Sequence, residues 1–189
     1  VEPIDHTILM QAGPEPVFDP VLNAFLCRSR DELFERCRLG GLLKCVSLGA
    51  RTPWLWRLTF ATRGLALGSD GAIESVERHT VGLRFLPDYL RRADRFEMLA
   101  LSEPRSAFHP NLTPPAICVQ INPGETLVEI CQSLHALFGW RLRQLNERDA
   151  LNHAACAWGR AHLDELPIDN RPLFGKPLEL TVEPLEQTR

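Results

Sequence analysis

The chain has 189 residues, enough for one sizeable core and too few for two full domains. With 44% hydrophobic and 24% charged residues it has a globular composition, which excludes a disordered or fibrous chain, and a net charge of −3 gives no basis for nucleic-acid binding. No run reaches the roughly 18 apolar residues of a membrane span, so the expectation is a cytoplasmic protein with no membrane partner.

In chain order, residues 1–20 carry Pro3, Pro14, Pro16 and Pro20 with little periodicity and read as an irregular N-terminal extension. From Val21 to Leu39 the apolar positions follow helical spacing, and Ser29 with Glu32 forms a capping-box signal. A short helix followed by a longer one is expected, stopped at Gly40-Gly41. The period then changes. Leu42–Leu48, Trp54–Thr62, Thr80–Leu86 and Arg95–Leu101 read as strands, and connectors too short for helical crossovers imply a four-stranded antiparallel meander. Asn122-Pro123-Gly124-Glu125 reads as a helix start with Asn122 as N-cap, and the apolar face from Leu127 to Phe138 runs to Gly139. Another helix is expected from about Asp149, placing Leu151, Ala154, Ala155 and Trp158 on one stripe. Beyond Leu166, four prolines imply an extended tail. The organisation is thus an extension over 1–20, an α+β domain over 21–165 and a proline-containing tail over 166–189.

The arginines cluster at Arg28–Arg38 and Arg84–Arg95, but interleaved acids such as Asp31, Glu35, Asp88 and Asp94 make these solvated mixed-charge faces. Six cysteines stand singly with no CxxC pair, which removes zinc-knuckle spacing and reads as reduced thiols. Cys37, Cys45, Cys131 and Cys156 fall on apolar faces of predicted elements, where core packing is the default. Cys118 differs: it follows the irregular loop Asn111-Leu112-Thr113-Pro114-Pro115 and stands just ahead of a helix start, a position that favours function. On the residues alone, an inert thiol between Ile117 and Val119 is still the default. His135 and His153 read as surface or satisfied core residues, the four tryptophans as packing residues, and Ser133 lacks a nucleophile-elbow context. A phosphate-cradling glycine loop is absent.

Five segments in fixed order change the reading: Phe85-Leu86-Pro87-Asp88-Tyr89, His109-Pro110-Asn111, Ile117-Cys118-Val119-Gln120-Ile121, Leu127 to Leu134, and Asp149-Ala150-Leu151-Asn152. Together they resemble the ubiquitin-conjugating enzyme family over roughly Ser29 to His162. The resemblance implies the family's α+β fold, with an N-terminal helix, a four-stranded antiparallel meander and C-terminal helices. It implies that Cys118 accepts a ubiquitin-like protein as a thioester from an activating enzyme and passes it to a target lysine. Asn111 would order the active-site loop and steady the oxyanion, Asp149 would position or desolvate the incoming amine, and His109 with Pro110 would be structural. No cofactor or metal is implied.

The departures have their own meaning. The Asn111–Cys118 loop is about one residue shorter than the family's, Gln120 replaces an aspartate, and the tryptophan after the cysteine strand is missing. Leu90-Arg91-Arg92-Ala93-Asp94 replaces the Pro-x-x-Pro-Pro segment that helps eukaryotic members dock ligases. Such changes point to a divergent, bacterial member that works without the usual ligases. The rival expectations are a catalytically inactive scaffold that binds a ubiquitin-like protein or partner, and a cysteine hydrolase pairing Cys118 with a histidine.

Overall fold

A computed structural model of the chain describes residues 15–175. Helix α1 (Pro20–Arg38) starts where Asp19 caps it, its carboxylate accepting from the backbone N–H groups of Val21 and Leu22 at 2.9 Å, with Pro20 at the first helical position. Leu22, Leu26, Ser29 and Leu33 form the buried stripe of this one continuous helix. The expected break at Ser29 is therefore corrected. Ser29 is an interior residue, and its hydroxyl accepts from the N–H of Leu127 at 2.6 Å, so a short polar side chain that reads as a cap serves another helix. Gly40 and Gly41, at φ +77° and +133°, turn the chain out of α1 as expected. Of the expected extension, residues 1–14 lie outside the described residues, and Pro20 belongs to α1.

The central sheet has the order β1 (Leu43–Ser47), β2 (Leu55–Phe60), β5 (His79–Arg84) and β6 (Leu99–Glu103), all antiparallel. Trp56, Leu58 and Phe60 alternate inward along β2, and Val81 and Leu83 face them across β5 in register. A hairpin not expected from the sequence, β3 (Gly64–Leu67) with β4 (Ile73–Val76), lies between β2 and β5. The last strand also shifts. Arg95–Met98 is a single helical turn, α2, capped by Asp94 accepting from Phe96 and Glu97 N–H, so the strand expected at Arg95–Leu101 starts only at Leu99.

Helix α3 (Leu127–Phe138) packs against α1 and the sheet with Leu127, Ile130, Cys131, Leu134 and Phe138 buried. Its N-cap is Thr126 in a capping box with Glu129, not Asn122. Asn122–Glu125 forms a turn instead, with Gly124 at φ +82°. At its other end Gly139 is the cap, and the chain leaves through Trp140 at φ +58°, with the N–H groups of Trp140 and Arg141 returning to Leu137 and Ala136 carbonyls. This is a Schellman stop with tryptophan where glycine is usual. Burial of the indole between His109 and Trp158 offsets the left-handed backbone. Helix α4 (His153–Ala161) follows an Asn152 cap, so its first residue comes four positions after the expected start at Asp149.

Residues 166–175, expected as an extended tail over the surface, are extended but held against the domain. Leu173 and Asp169 are buried, Leu42 N–H donates to Leu173 O at 2.8 Å, and Gly41 bridges Phe174. Asp169 accepts from Arg63 N–H and from the Arg171 guanidinium, which holds its carboxyl well below the usual carboxylate range. His135, read from the sequence as surface or core, is buried: Nε2–H donates to Arg171 O and Nδ1 accepts from Thr62 Oγ, each at 2.8 Å. Residues 176–189 lie outside the described residues. Among the described residues no helix is long and apolar enough to cross a membrane.

Candidate active site

The β3–β4 hairpin positions the entry to the site. Leu67 N–H donates to Ser106 O and Phe108 N–H to Leu65 O, both at 2.8 Å, so the segment after β6 is held along β3 until it reaches His109. The ring of His109 is 2% exposed and meets Trp140 edge-on at 4.6 Å. Burial, with His79 and Arg143 nearby, pulls its pKa down to about 3. The imidazole is therefore neutral. Its Nδ1 accepts from the Asn111 N–H at 3.0 Å, which places the ring proton on the buried Nε2 and leaves no free lone pair for a general base. His109 shapes the turn, and Pro110 contributes through its carbonyl, which accepts from Asn152 N–H at 3.0 Å at the mouth of α4.

Between Asn111 and Cys118 the chain folds into a miniature hairpin, β7 (Leu112–Thr113) against β8 (Ala116–Ile117), with Leu112 opposite Ile117. The ladder closes at the next pair outward. Cys118 N–H donates to Asn111 O at 2.8 Å, and Asn111 Nδ2 donates to Cys118 O at 2.9 Å. The remaining amide atom, Asn111 Oδ1, accepts from Gln144 N–H at 2.8 Å. Sequence reasoning singled out Asn111 and Cys118, and the structure brings them into direct contact.

Cys118 is half-exposed between buried Ile117 and Val119. Among the described residues no imidazole hydrogen-bonds its thiol, which removes the geometric basis for the cysteine-hydrolase expectation. The segment after it is tied down from below. The Tyr89 hydroxyl, on a fully buried ring, donates to Glu125 O at 2.8 Å and Asn122 O at 3.3 Å, fixing the turn that links the cysteine strand to α3. Gln120, at the position of the family's aspartate in the resemblance, is exposed, and its Nε2 donates to Asn122 Oδ1.

Asp149 is exposed on the loop between α3 and α4, its carboxylate accepting from Asn146 Nδ2 at 2.8 Å. No hydrogen bond joins it to Cys118. Its loop is anchored to the triplet on both flanks, by Gln144 N–H to Asn111 and by Asn152 N–H to Pro110. Gln144 was missed in the sequence because its contribution is a backbone N–H, which side-chain identity does not signal. No group of three or more metal-ligating side chains gathers among the described residues.

The sequence matches no family model and no curated protein. Solved structures with similar architecture include human ubiquitin-conjugating enzyme E2 G1, 17% identical over 65% of this chain and 98% of that one with a TM-score of 0.46. A second, described as a novel ubiquitin-conjugating enzyme, is 14% identical over 75% of this chain and 86% of that one with a TM-score of 0.50. The chain has the ubiquitin-conjugating-like α+β fold.

Proposed function

We propose that the protein is a ubiquitin-conjugating-like transferase whose Cys118 carries a ubiquitin-like modifier. The observation that supports this reading best is the reciprocal bonding of Asn111 and Cys118, which places the half-buried cysteine at the end of a hairpin anchored at two points to the loop between α3 and α4. The Cys118 thiolate attacks the carbonyl of a modifier held as a thioester on an activating enzyme, and that enzyme's thiolate leaves. A neutral lysine amine of the target then attacks the new thioester. Collapse of the tetrahedral intermediate expels Cys118 thiolate, and the amine's surplus proton goes to solvent. Asp149 positions or desolvates the amine, whose ordinary pKa of about 10.4 disfavours the reactive neutral form. Asn111 orders the loop and steadies the oxyanion, and His109 and Pro110 support it. Replacement of the family's proline-rich ligase-docking segment by Leu90–Asp94 supports a divergent, bacterial member acting without the usual ligases.

A scaffold that binds a ubiquitin-like protein or partner without catalysis is favoured by one observation: both polar atoms of the Asn111 amide are already engaged with backbone. A charging assay separates the readings. Wild type, Cys118→Ala and Cys118→Ser are incubated with ATP, candidate modifier and an activating enzyme shown to be loaded. A thiol-sensitive adduct that vanishes in Cys118→Ala and becomes thiol-resistant in Cys118→Ser establishes transfer. No adduct in wild type with the loaded activating enzyme favours the scaffold.

A further inference from the structure

Two of the cysteines that the sequence assigns to core packing sit at the margin of the core, packed against it but only partly buried. Cys37, in the last turn of α1, and Cys45, in β1, have sulfurs 3.7 Å apart, and both side chains are only half-buried. The fully buried thiols, Cys131 and Cys156, form no such pair. Ordinary thiol packing has no need of two cysteines facing each other at a solvent-accessible margin. A disulfide requires the sulfurs to close to about 2.05 Å. The connection between the elements runs through Gly40 and Gly41, both with positive φ, so the two sulfurs face each other across a tight turn.

We propose that Cys37 and Cys45 form a dithiol oxidation site, which a hydroperoxide converts into an intramolecular disulfide. In the first step the Cys37 thiolate attacks one peroxide oxygen. The O–O bond breaks, hydroxide or alkoxide leaves and is protonated, and Cys37 becomes a sulfenic acid. In the second step Cys45 attacks the Cys37 sulfur, the S–O bond breaks and water leaves. Two thiols are oxidised by two electrons, and one peroxide is reduced to water and water or alcohol. Either S–H can donate in the 3.7 Å contact; with Cys45 as donor the Cys37 thiol is lowered, while the same contact and burial raise Cys45, which makes Cys37 the attacking member. Cys131, buried behind the pair, is pushed up by burial and stays protonated. The disulfide clamps the end of α1 onto β1 beside the seat of Leu173 and Phe174. The site is independent of Cys118 and of the proposed transfer reaction.

The test titrates the full chain with hydrogen peroxide, alkylates the remaining thiols and maps peptides by mass spectrometry. The expected result is a Cys37–Cys45 cross-linked peptide as the first product, with two of the six thiols lost together. Cys45→Ser is expected to stop at a Cys37 sulfenic acid captured by a cyclic dione, and Cys37→Ser to slow loss of the Cys45 thiol about tenfold or more. The wild-type map decides the matter whether or not the serine variants fold. Cys37 and Cys45 still alkylatable after other thiols are oxidised, or Cys45 joined to Cys131, would overturn the proposal.

Discussion

Replacing Asn111 by alanine removes both hydrogen bonds that its amide makes and strands the Cys118 carbonyl and the Gln144 N–H. A hydrogen bond contributes about 1 kcal/mol net, and a buried group left unpaired costs about 1–3 kcal/mol. Asn111 itself is 8% exposed, but Cys118 and Gln144 are half-exposed, so water recovers part of the loss. The expected destabilisation is about 2 kcal/mol, the low end of that sum. With an urea m-value of roughly 2 kcal/mol per M, the unfolding midpoint drops by about 1 M. Asn111→Asp keeps an acceptor for Gln144 but sets a carboxylate oxygen against the Cys118 carbonyl, so it is expected to cost at least as much. Urea unfolding followed by tryptophan fluorescence reads both. An Asn111→Ala midpoint indistinguishable from wild type, alongside a transfer rate about 100-fold lower, would refute the positioning argument and leave only an oxyanion role.

Acid sensitivity should come from histidines before carboxylates. His109 and His79 are pulled down to about 3 and about 4 by burial, below the 6.5 of a free imidazole, so the unfolded chain takes up protons first and stability falls as pH drops below 6.5. Between pH 6 and pH 5 the two together are expected to remove about 2 kcal/mol, read from urea unfolding at each pH, and a flat profile would contradict their burial as neutral rings. Ser29→Ala, which orphans the buried Leu127 N–H, should cost about 1–3 kcal/mol without altering the Thr126 capping box, a loss checked by the same unfolding measurement. Gly41→Ala places a methyl 2.3 Å from Leu173 O on a backbone at φ +133°, so the contact must open. Faster hydrogen exchange at the Leu42 amide, the donor to Leu173 O, is the expected sign.

The α+β class and the strands β1, β2 and β5 were legible because their alternation is driven by one buried face, as in Trp56, Leu58 and Phe60. The β3–β4 hairpin was not, since its strands have four residues each and β4 has no buried face to impose a period. Boundaries failed where two local signals competed. Asp19-Pro20 and Asn122-Pro123 offer the same cap-and-proline pattern, and only the first starts a helix, because Thr126 and Glu129 supply a reciprocal pair farther along. Asp94 likewise caps a single turn that cuts into an apparent strand. At the site, His109, Pro110, Asn111 and Cys118 were visible as side-chain types. What holds them is largely backbone: the Gln144 N–H, the Asn152 N–H and the carbonyls beneath Tyr89, groups every residue carries and no sequence distinguishes.

The bond from Leu127 N–H to Ser29 spans 98 positions of sequence. A chain made from its N-terminus at about 5–20 residues per second therefore emits α1 roughly 5–20 s before the helix that completes its cover. During that interval Leu22, Leu26 and Leu33 form an apolar stripe on a helix already stabilised by its Asp19 cap, with the sheet still arriving. The hazard of misassociation on the ribosome thus falls on α1, and a chaperone that engages nascent chains would find an apolar target there before the site around Cys118 has formed.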